Sequence, residues 1–336
     1  MIEKIVTKQR DNILEIRWAL NNVCNFKCRY CFPGSNEGNF RSPENIESIV
    51  NNFNYMLDCY KADLGKDLIH LQILGGEPTL WPGLVDFISS VKSKHDIYVS
   101  ILTNGSRTLR WWSENGHLFD NVILSFHGES ADVGHTIQVA DKLYELKKKI
   151  TVHALMDDKN WDHCVASVKR MKKESKHPWM IQSKQLVSTP NNKVEYTDEQ
   201  RKYLQKEFKR YPTIGWVLKN LKLVGRGIIK FYESIGYDSN GKKTRATPQY
   251  YIRTGQNRFR GWHCNIGLET LYINFDGELM GSCRQPVFNN RSLNILDPNF
   301  MSKFKIVKTP AICGQEKCEC ASETHVSKYK PIIWKP

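Results

Sequence analysis

Between residues 11 and 187 short apolar runs alternate with segments of helical periodicity, and this alternation constrains the fold more than any other feature of the chain. A parallel strand pair needs a crossover long enough to hold a helix, so strands that take turns with helices predict a parallel sheet. The strand candidates are residues 13–20, 68–74, 97–103, 121–126, 149–155 and 179–186. The clearest helix starts at Ser42-Pro43 and runs to Tyr60, with Ile46, Ile49, Val50, Phe53, Met56 and Leu57 on one face. Six such units predict an α/β fold, a partial (β/α)6 barrel of the TIM type open on one side. Reactive groups in such a barrel belong on the loops at the C-terminal strand ends.

The bulk composition is that of a globular protein, 40% hydrophobic and 25% charged over 336 residues. No run approaches the roughly 18 apolar residues that cross a bilayer, and the opening MIEKIVTKQRDN lacks a signal-peptide core. A cytoplasmic protein with no membrane partner is expected. In that reducing compartment ten cysteines point to metal binding or catalysis rather than disulfides. Cys59 and Cys164 stand alone in helical segments and read as small core hydrophobes. The other eight fall in two groups, Cys24, Cys28 and Cys31, then Cys264, Cys283, Cys313, Cys318 and Cys320.

The first group lies in CNFKCRYC, on the loop after the first predicted strand. Three thiols can hold three irons of a 4Fe-4S cube and leave the fourth iron open, and an open position marks a reactive site. The bland alternative is a zinc knuckle with a remote fourth ligand. The following strand ends carry Gly75-Gly76-Glu77-Pro78-Thr79, Thr103-Asn104-Gly105 and Ser125-Phe126-His127-Gly128. Two side-chain-free residues allow close backbone approach to a ligand, Glu77 offers a carboxylate to an amine, and the later polar groups suit ribose hydroxyls. Phe26, Tyr30 and Phe32 suit shielding of a reactive species, or simple packing.

CNFKCRYC resembles the CxxxCxΦC signature of radical S-adenosylmethionine (SAM) enzymes, with Tyr30 as the aromatic position, and Gly75-Gly76-Glu77-Pro78 resembles their GGEP motif. The resemblance covers about the first 190 residues. It implies that Cys24, Cys28 and Cys31 hold a 4Fe-4S cluster whose open iron chelates SAM. Gly75, Gly76 and Glu77 would lie at the SAM amino group, with Thr103, Asn104, Ser125, His127 and Tyr30 lining the remainder. One electron, from a donor such as flavodoxin or ferredoxin, would cleave SAM to a 5′-deoxyadenosyl radical that abstracts hydrogen from unactivated carbon.

After Pro190 the alternation is lost. Residues 191–260 hold 16 Lys and Arg against 6 Asp and Glu, a net of +10 in a chain of +14, interleaved with Tyr203, Phe208, Tyr211, Trp216, Phe231, Tyr232, Tyr250 and Tyr251. This basic segment is either a solvated face or a receiver of an anionic substrate. From Gly261 a hairpin is expected around Asp276-Gly277, where glycine accepts the positive φ of a type I′ turn. The five cysteines around it resemble the SPASM/Twitch extensions of radical SAM enzymes. Five thiols suffice for one auxiliary 4Fe-4S cluster, with Cys313, Cys318 or Cys320 left spare, and Cys313 is a candidate hydrogen-atom donor. A zinc ribbon is the structural alternative.

The expected organisation is a core at 1–190, a basic insert at 191–260 and a small Twitch-like hairpin and helix domain at 261–336. The expected function is hydrogen abstraction from a peptide or protein, by net oxidation, epimerisation or crosslinking. An anionic small molecule or nucleotide is the alternative substrate. A non-catalytic metal-cluster protein that binds nucleic acid is the rival of another class, disfavoured because no nucleic-acid-binding motif is present.

Overall fold

The computed structural model describes residues 2–6, 12–38, 45–188, 192–210, 234–246, 251–252, 254–281, 293–318, 324 and 326–331. Along the chain come β1 (Ile2–Val6), β2 (Ile13–Ala19), α1 (Ile46–Leu64), β3 (Leu68–Leu74), α2 (Leu84–Lys94), β4 (Ile97–Thr103) and α3 (Leu109–Asn115). Then follow β5 (Asn121–His127), α4 (Val133–Glu145), β6 (Lys149–Met156), α5 (Trp161–Glu174), β7 (Met180–Gln185) and α6 (Asp198–Arg210). The remaining strands are β8 (Ser234–Asp238), β9 (Lys243–Ala246), β10 (His263–Cys264), β11 (Thr270–Ile273), β12 (Glu278–Met280), β13 (Leu293–Asn294), β14 (Ala311–Ile312) and β15 (Lys328–Tyr329).

The chain divides into two compact units, one of residues 1–17, 51–70 and 213–336, the other of residues 18–50 and 71–212. The second unit holds the expected alternation. It takes in the ends of β2 and β3 from Trp18 and Leu71 onward, and β4, β5, β6 and β7 lie side by side in that order and pair in parallel. The architecture is mixed α/β.

The register sorts this sheet into two unlike faces. Leu124, Val152 and Ile181 lie in line across β5, β6 and β7, as do Phe126, Ala154 and Ser183. Val122, Leu124, Phe126, Val152, Ala154 and Met156 are sealed from solvent, and α4 and α5 pack on these strands. Each large side chain buried there contributes about 1.5–3 kcal/mol. On β2 and α2, Trp18 sets its ring against Phe87 edge to face, with centroids 5.1 Å apart. The opposite face carries Ser125, His127, His153, Leu155, Gln182 and Lys184, all half-buried. Because side chains alternate along a strand, one register places all six together.

The helix expected from Ser42 to Tyr60 runs instead from Ile46 to Leu64, and Ser42-Pro43 lie outside the described residues. In the first unit a six-stranded sheet has the order β14-β10-β15-β1-β8-β9. The sequence reading put its first strand at residue 13 and missed β1, whose antiparallel partners β8 and β15 lie more than two hundred residues downstream. The hairpin around Asp276-Gly277 is present, with Ile273 opposite Leu279. Its connection differs from the expected two-residue turn: the Asn274 N–H donates to Glu278 O at 3.0 Å, the Gly277 N–H to Asn274 O at 3.0 Å, and only Gly277 takes positive φ, +85°. The polar stretch at 238–241 is the tip of the β8–β9 hairpin, where the Asp238 carboxylate accepts from the Asn240 and Lys242 N–H groups. Among the described residues no helix is long and apolar enough to cross a membrane.

Candidate active site

The chain leaves β2 and passes directly over the end of β3. The Leu20 N–H donates to Leu74 O (2.8 Å), Gly76 N–H to Asn21 O (2.8 Å) and Glu77 N–H to Val23 O (2.7 Å). This crossing explains the two glycines. A Cβ on Gly75 would lie 2.4 Å from Asn21 O, and one on Gly76 would lie 2.3 Å from Val23 O; Gly75 also has φ +144°. The glycines therefore admit the chain's own cysteine loop, a close approach that the sequence reading did not foresee.

Glu77 is fully buried at the centre of this junction. One carboxylate oxygen accepts from the Thr79 N–H (3.0 Å), the Thr79 hydroxyl (2.5 Å) and the Thr103 hydroxyl (2.7 Å), and the other accepts from the Asn104 N–H (2.7 Å). Burial pushes its carboxyl upward, and these donors oppose the shift. Asn104 reaches on to the cysteine loop, its side-chain amide donating to Asn25 Oδ1 at 2.9 Å and lying 3.8 Å from Cys24 Sγ. Thr103 and Asn104 thus tie β4 to both Glu77 and the thiols.

Cys28 is buried and Cys24 and Cys31 are half-buried. Burial raises all three thiols, Cys28 to about 12, and each is pushed further by the charge of a neighbour in the trio or of a nearby carboxylate. The three sulfurs therefore share one electrostatic neighbourhood and stay protonated until a metal draws them to thiolate. Among the described residues no three His, Cys, Asp or Glu side chains converge on a single-ion site. Three thiols in one short loop suit a multinuclear iron-sulfur group in chemistry and number.

His127, at the end of β5, supports the loop from below. Its Nδ1 lies 3.3 Å from Cys28 Sγ and 3.2 Å from the Tyr30 hydroxyl, and its ring stacks on Tyr30 with centroids 5.8 Å apart. Desolvation holds the imidazole down at about 4, so it is neutral near pH 7. Cys28, Tyr30 and Leu186 form a buried cluster with Phe26, Cys31, Leu155 and Val194 packed against it. Phe32, expected to shield the site, is 59% exposed. Ser125 makes no side-chain hydrogen bond among the described residues and lies in register with His153.

Sequence reading missed Arg29, one of the unassigned positions of the cysteine motif. Its guanidinium pairs with Glu129 at 3.2 Å, with Asp158 at 3.0 Å and with Asp157, and it also donates to Asn192 Oδ1 at 2.5 Å. Its backbone N–H donates to Glu129 as well, at 3.1 Å. The loop is thereby fastened to the ends of β5 and β6. The only sequence signal was a basic residue among the cysteines and an Asp-Asp pair at a strand end.

The profile of the Radical SAM superfamily matches residues 18–178, the stretch that contains the three thiols, Gly75-Gly76-Glu77, Thr103, Asn104 and His127. Those residues match a radical SAM domain. The family implies SAM and a 4Fe-4S cluster. Curated relatives match over part of the chain. A GTP 3′,8-cyclase of Actinobacillus pleuropneumoniae is 30% identical over 130 residues, 36% of this chain and 35% of the relative. An S-adenosylmethionine-dependent nucleotide dehydratase of Fibrobacter sp. is 27% identical over 187 residues, 49% of this chain and 54% of the relative. The chain thus spans about a third to a half of the length of these relatives. Among solved structures, Streptococcus suis SuiB bound to S-adenosylmethionine shares the fold with a TM-score of 0.51 and 13% identity, over 87% of this chain and 65% of SuiB.

In the first unit, Cys264 on β10 is buried beside Cys313 and Cys318. The Cys313 N–H donates to Trp262 O (2.8 Å), and the Cys318 N–H donates to Asn257 O (2.8 Å). Burial raises the Cys264 thiol to about 11; Lys328 opposes the rise, while Cys313 and Cys318 add to it. Lys328 is itself buried, with its ammonium donating to Thr324 O (3.0 Å) and 4.6 Å from the Phe259 ring centre. Cys283 and Cys320 lie outside the described residues, as do Tyr211, Trp216, Phe231, Tyr232 and Tyr250 of the basic segment.

Proposed function

We propose that the chain is a radical SAM enzyme whose cluster is held by Cys24, Cys28 and Cys31. The observation that carries this reading is the pinning of the thiol loop over Gly75-Gly76-Glu77 and Asn104 at the C-terminal ends of β3 and β4. When bound, the 4Fe-4S cluster and SAM together supply a 5′-deoxyadenosyl radical able to take hydrogen from an unactivated carbon. The chain's own groups position and enclose. Glu77 and Thr103 fix the loop, His127 and Tyr30 back Cys28, and Phe26, Leu155 and Leu186 keep water from its inner side. The open polar face beneath the loop, with Ser125 and His153, is where a substrate would meet the radical, in a partial (β/α)6 barrel.

Cys264, Cys313 and Cys318, with Cys283 or Cys320, would hold one auxiliary 4Fe-4S cluster in a Twitch-like region, and the electrostatic coupling of the first three supports this. The sequence reading favoured a peptide or protein substrate. The nucleotide enzymes among the relatives, and the ammonium of Lys184 on the open face, favour an anionic small molecule or nucleotide instead.

The test is anaerobic loading with iron and sulfide, then reduction in the presence of SAM. Release of 5′-deoxyadenosine is expected, and a C24A/C28A/C31A triple variant should release none. Iron should fall from roughly eight to four atoms per chain in that variant, as two cubes become one. Zinc in place of iron, with no 5′-deoxyadenosine, would overturn the reading.

A further inference from the structure

The open face of β6 and β7 carries chemistry that the cluster loop does not use. Gln182 lies in register with His153, and Lys184 in register with Leu155, so Gln182, His153 and Lys184 share one face near the C-terminal strand ends. Lys184 is two residues beyond Gln182 on the same strand, a rise of about 7 Å. Leu155, the cross-strand neighbour of Lys184, packs against the cluster formed by Cys28, Tyr30 and Leu186. The three polar groups thus lie on the same sheet face as that cluster, close below the thiol loop.

Donor capacity is left over on this face. Lys184 makes no hydrogen bond or ion pair among the described residues, although it is half-buried. Desolvation lowers its ammonium from the ordinary lysine value. Burial first, and then the positive charge of Lys184, hold His153 down at about 3, against a hydrogen bond with Gln182. The imidazole is therefore neutral near pH 7, and its single N–H serves the Gln182 carbonyl oxygen. Among the described residues the Gln182 amide nitrogen reaches only Met180 Sδ, at 3.5 Å, a weak acceptor. A half-buried cation with no carboxylate partner among the described residues is costly to maintain unless a ligand supplies the anion.

We propose that Lys184, Gln182 and Ser125, with His153 holding the Gln182 amide, form the binding site for a phosphate group of the substrate, which is then a small phosphate-bearing molecule of the nucleotide class. This deepens the radical SAM reading and rests on it for the position of the reacting carbon. An ammonium, an amide N–H and the hydroxyl of Ser125, which lies in register with His153, present three donor groups, which matches the several oxygens of a phosphate better than the two of a carboxylate.

Three probes test it on the iron-loaded enzyme under anaerobic conditions: GTP, inorganic triphosphate and SAM, each titrated by calorimetry. The parent should bind GTP or triphosphate, and Lys184→Gln should weaken that binding by about tenfold or more. Lys184→Arg should restore most of it, and Lys173→Gln, a change at an exposed lysine of α5, should leave it intact. SAM affinity and uncoupled release of 5′-deoxyadenosine should stay the same in all four proteins. Equal weakening of SAM in Lys184→Gln would make this the SAM carboxylate site and overturn the proposal. So would equal anion binding in parent and variant, or no anion binding by the parent. Absence of 5′-deoxyadenosine from every protein would instead strike the radical SAM reading, which the anion titrations do not depend on.

Discussion

His127 Nδ1 stands 3.3 Å from Cys28 Sγ, and the same nitrogen stands 3.2 Å from the Tyr30 hydroxyl. A neutral ring so placed can share a proton with the sulfur, and hydrogen bonds to cluster sulfurs raise reduction potential. His127→Leu keeps the bulk and removes the contact. The reduced cluster should form at a more negative potential, read by potentiometric EPR titration, with iron content unchanged. An unmoved midpoint would leave His127 a packing residue.

Glu77→Gln tests the buried carboxylate. Four donors converge on two oxygens, and an amide would turn its N–H groups toward at least one of them. A loss of about 2–4 kcal/mol is expected in denaturant unfolding of the apo protein. A loss below about 0.5 kcal/mol, the scatter of an ordinary surface substitution, would contradict the role given to the junction.

Gly75→Ala tests the crossing of the loop over β3. The new Cβ would meet Asn21 O at 2.4 Å, against backbone, so the cysteine loop must lift. Far-ultraviolet circular dichroism should be unchanged while 5′-deoxyadenosine formation falls by about tenfold or more, because a displacement near 1 Å is enough to disable a positioned site.

Acid stability should report on His153. Its folded pKa, about 3, is below the ordinary value of 6.5. Above pH 6.5 both folded and unfolded chains hold it neutral and its contribution is level. As pH falls from 6.5 toward 3 the unfolded chain takes up the proton and the folded chain does not, so stability is lost across that window. In His153→Gln the decline in Tm between pH 7 and pH 5 should be shallower than in the parent; an identical slope would refute the assignment.

Much of the second unit was legible in the sequence, because each strand there is flanked by its own helix and each cue is local. The strands expected at 68–74 and 97–103 carry the observed bounds, and the first cysteine group lies on the loop expected for it. What escaped was set by distance along the chain. Strand β1 has nothing in IEKIV to name its partners, since β8 and β15 come from the far end of the sequence. Arg29 finds its carboxylates some 100 to 130 residues away. The glycine pair was read as room for a ligand; that Asn21 and Val23 crowd it depends on how β2 ends, and that is a tertiary fact.

The division of β2 after Arg17 and of β3 after His70 has an engineering consequence. The backbone changes allegiance four times, at 17–18, 50–51, 70–71 and 212–213, so no single cut releases either half as a continuous polypeptide. Deleting the cysteine-bearing C-terminal stretch would strip the amino-terminal seventeen residues and α1 of their hydrophobic cover rather than isolate a minimal catalyst. Dissection of the two cysteine groups must therefore proceed by point substitution in the intact protein.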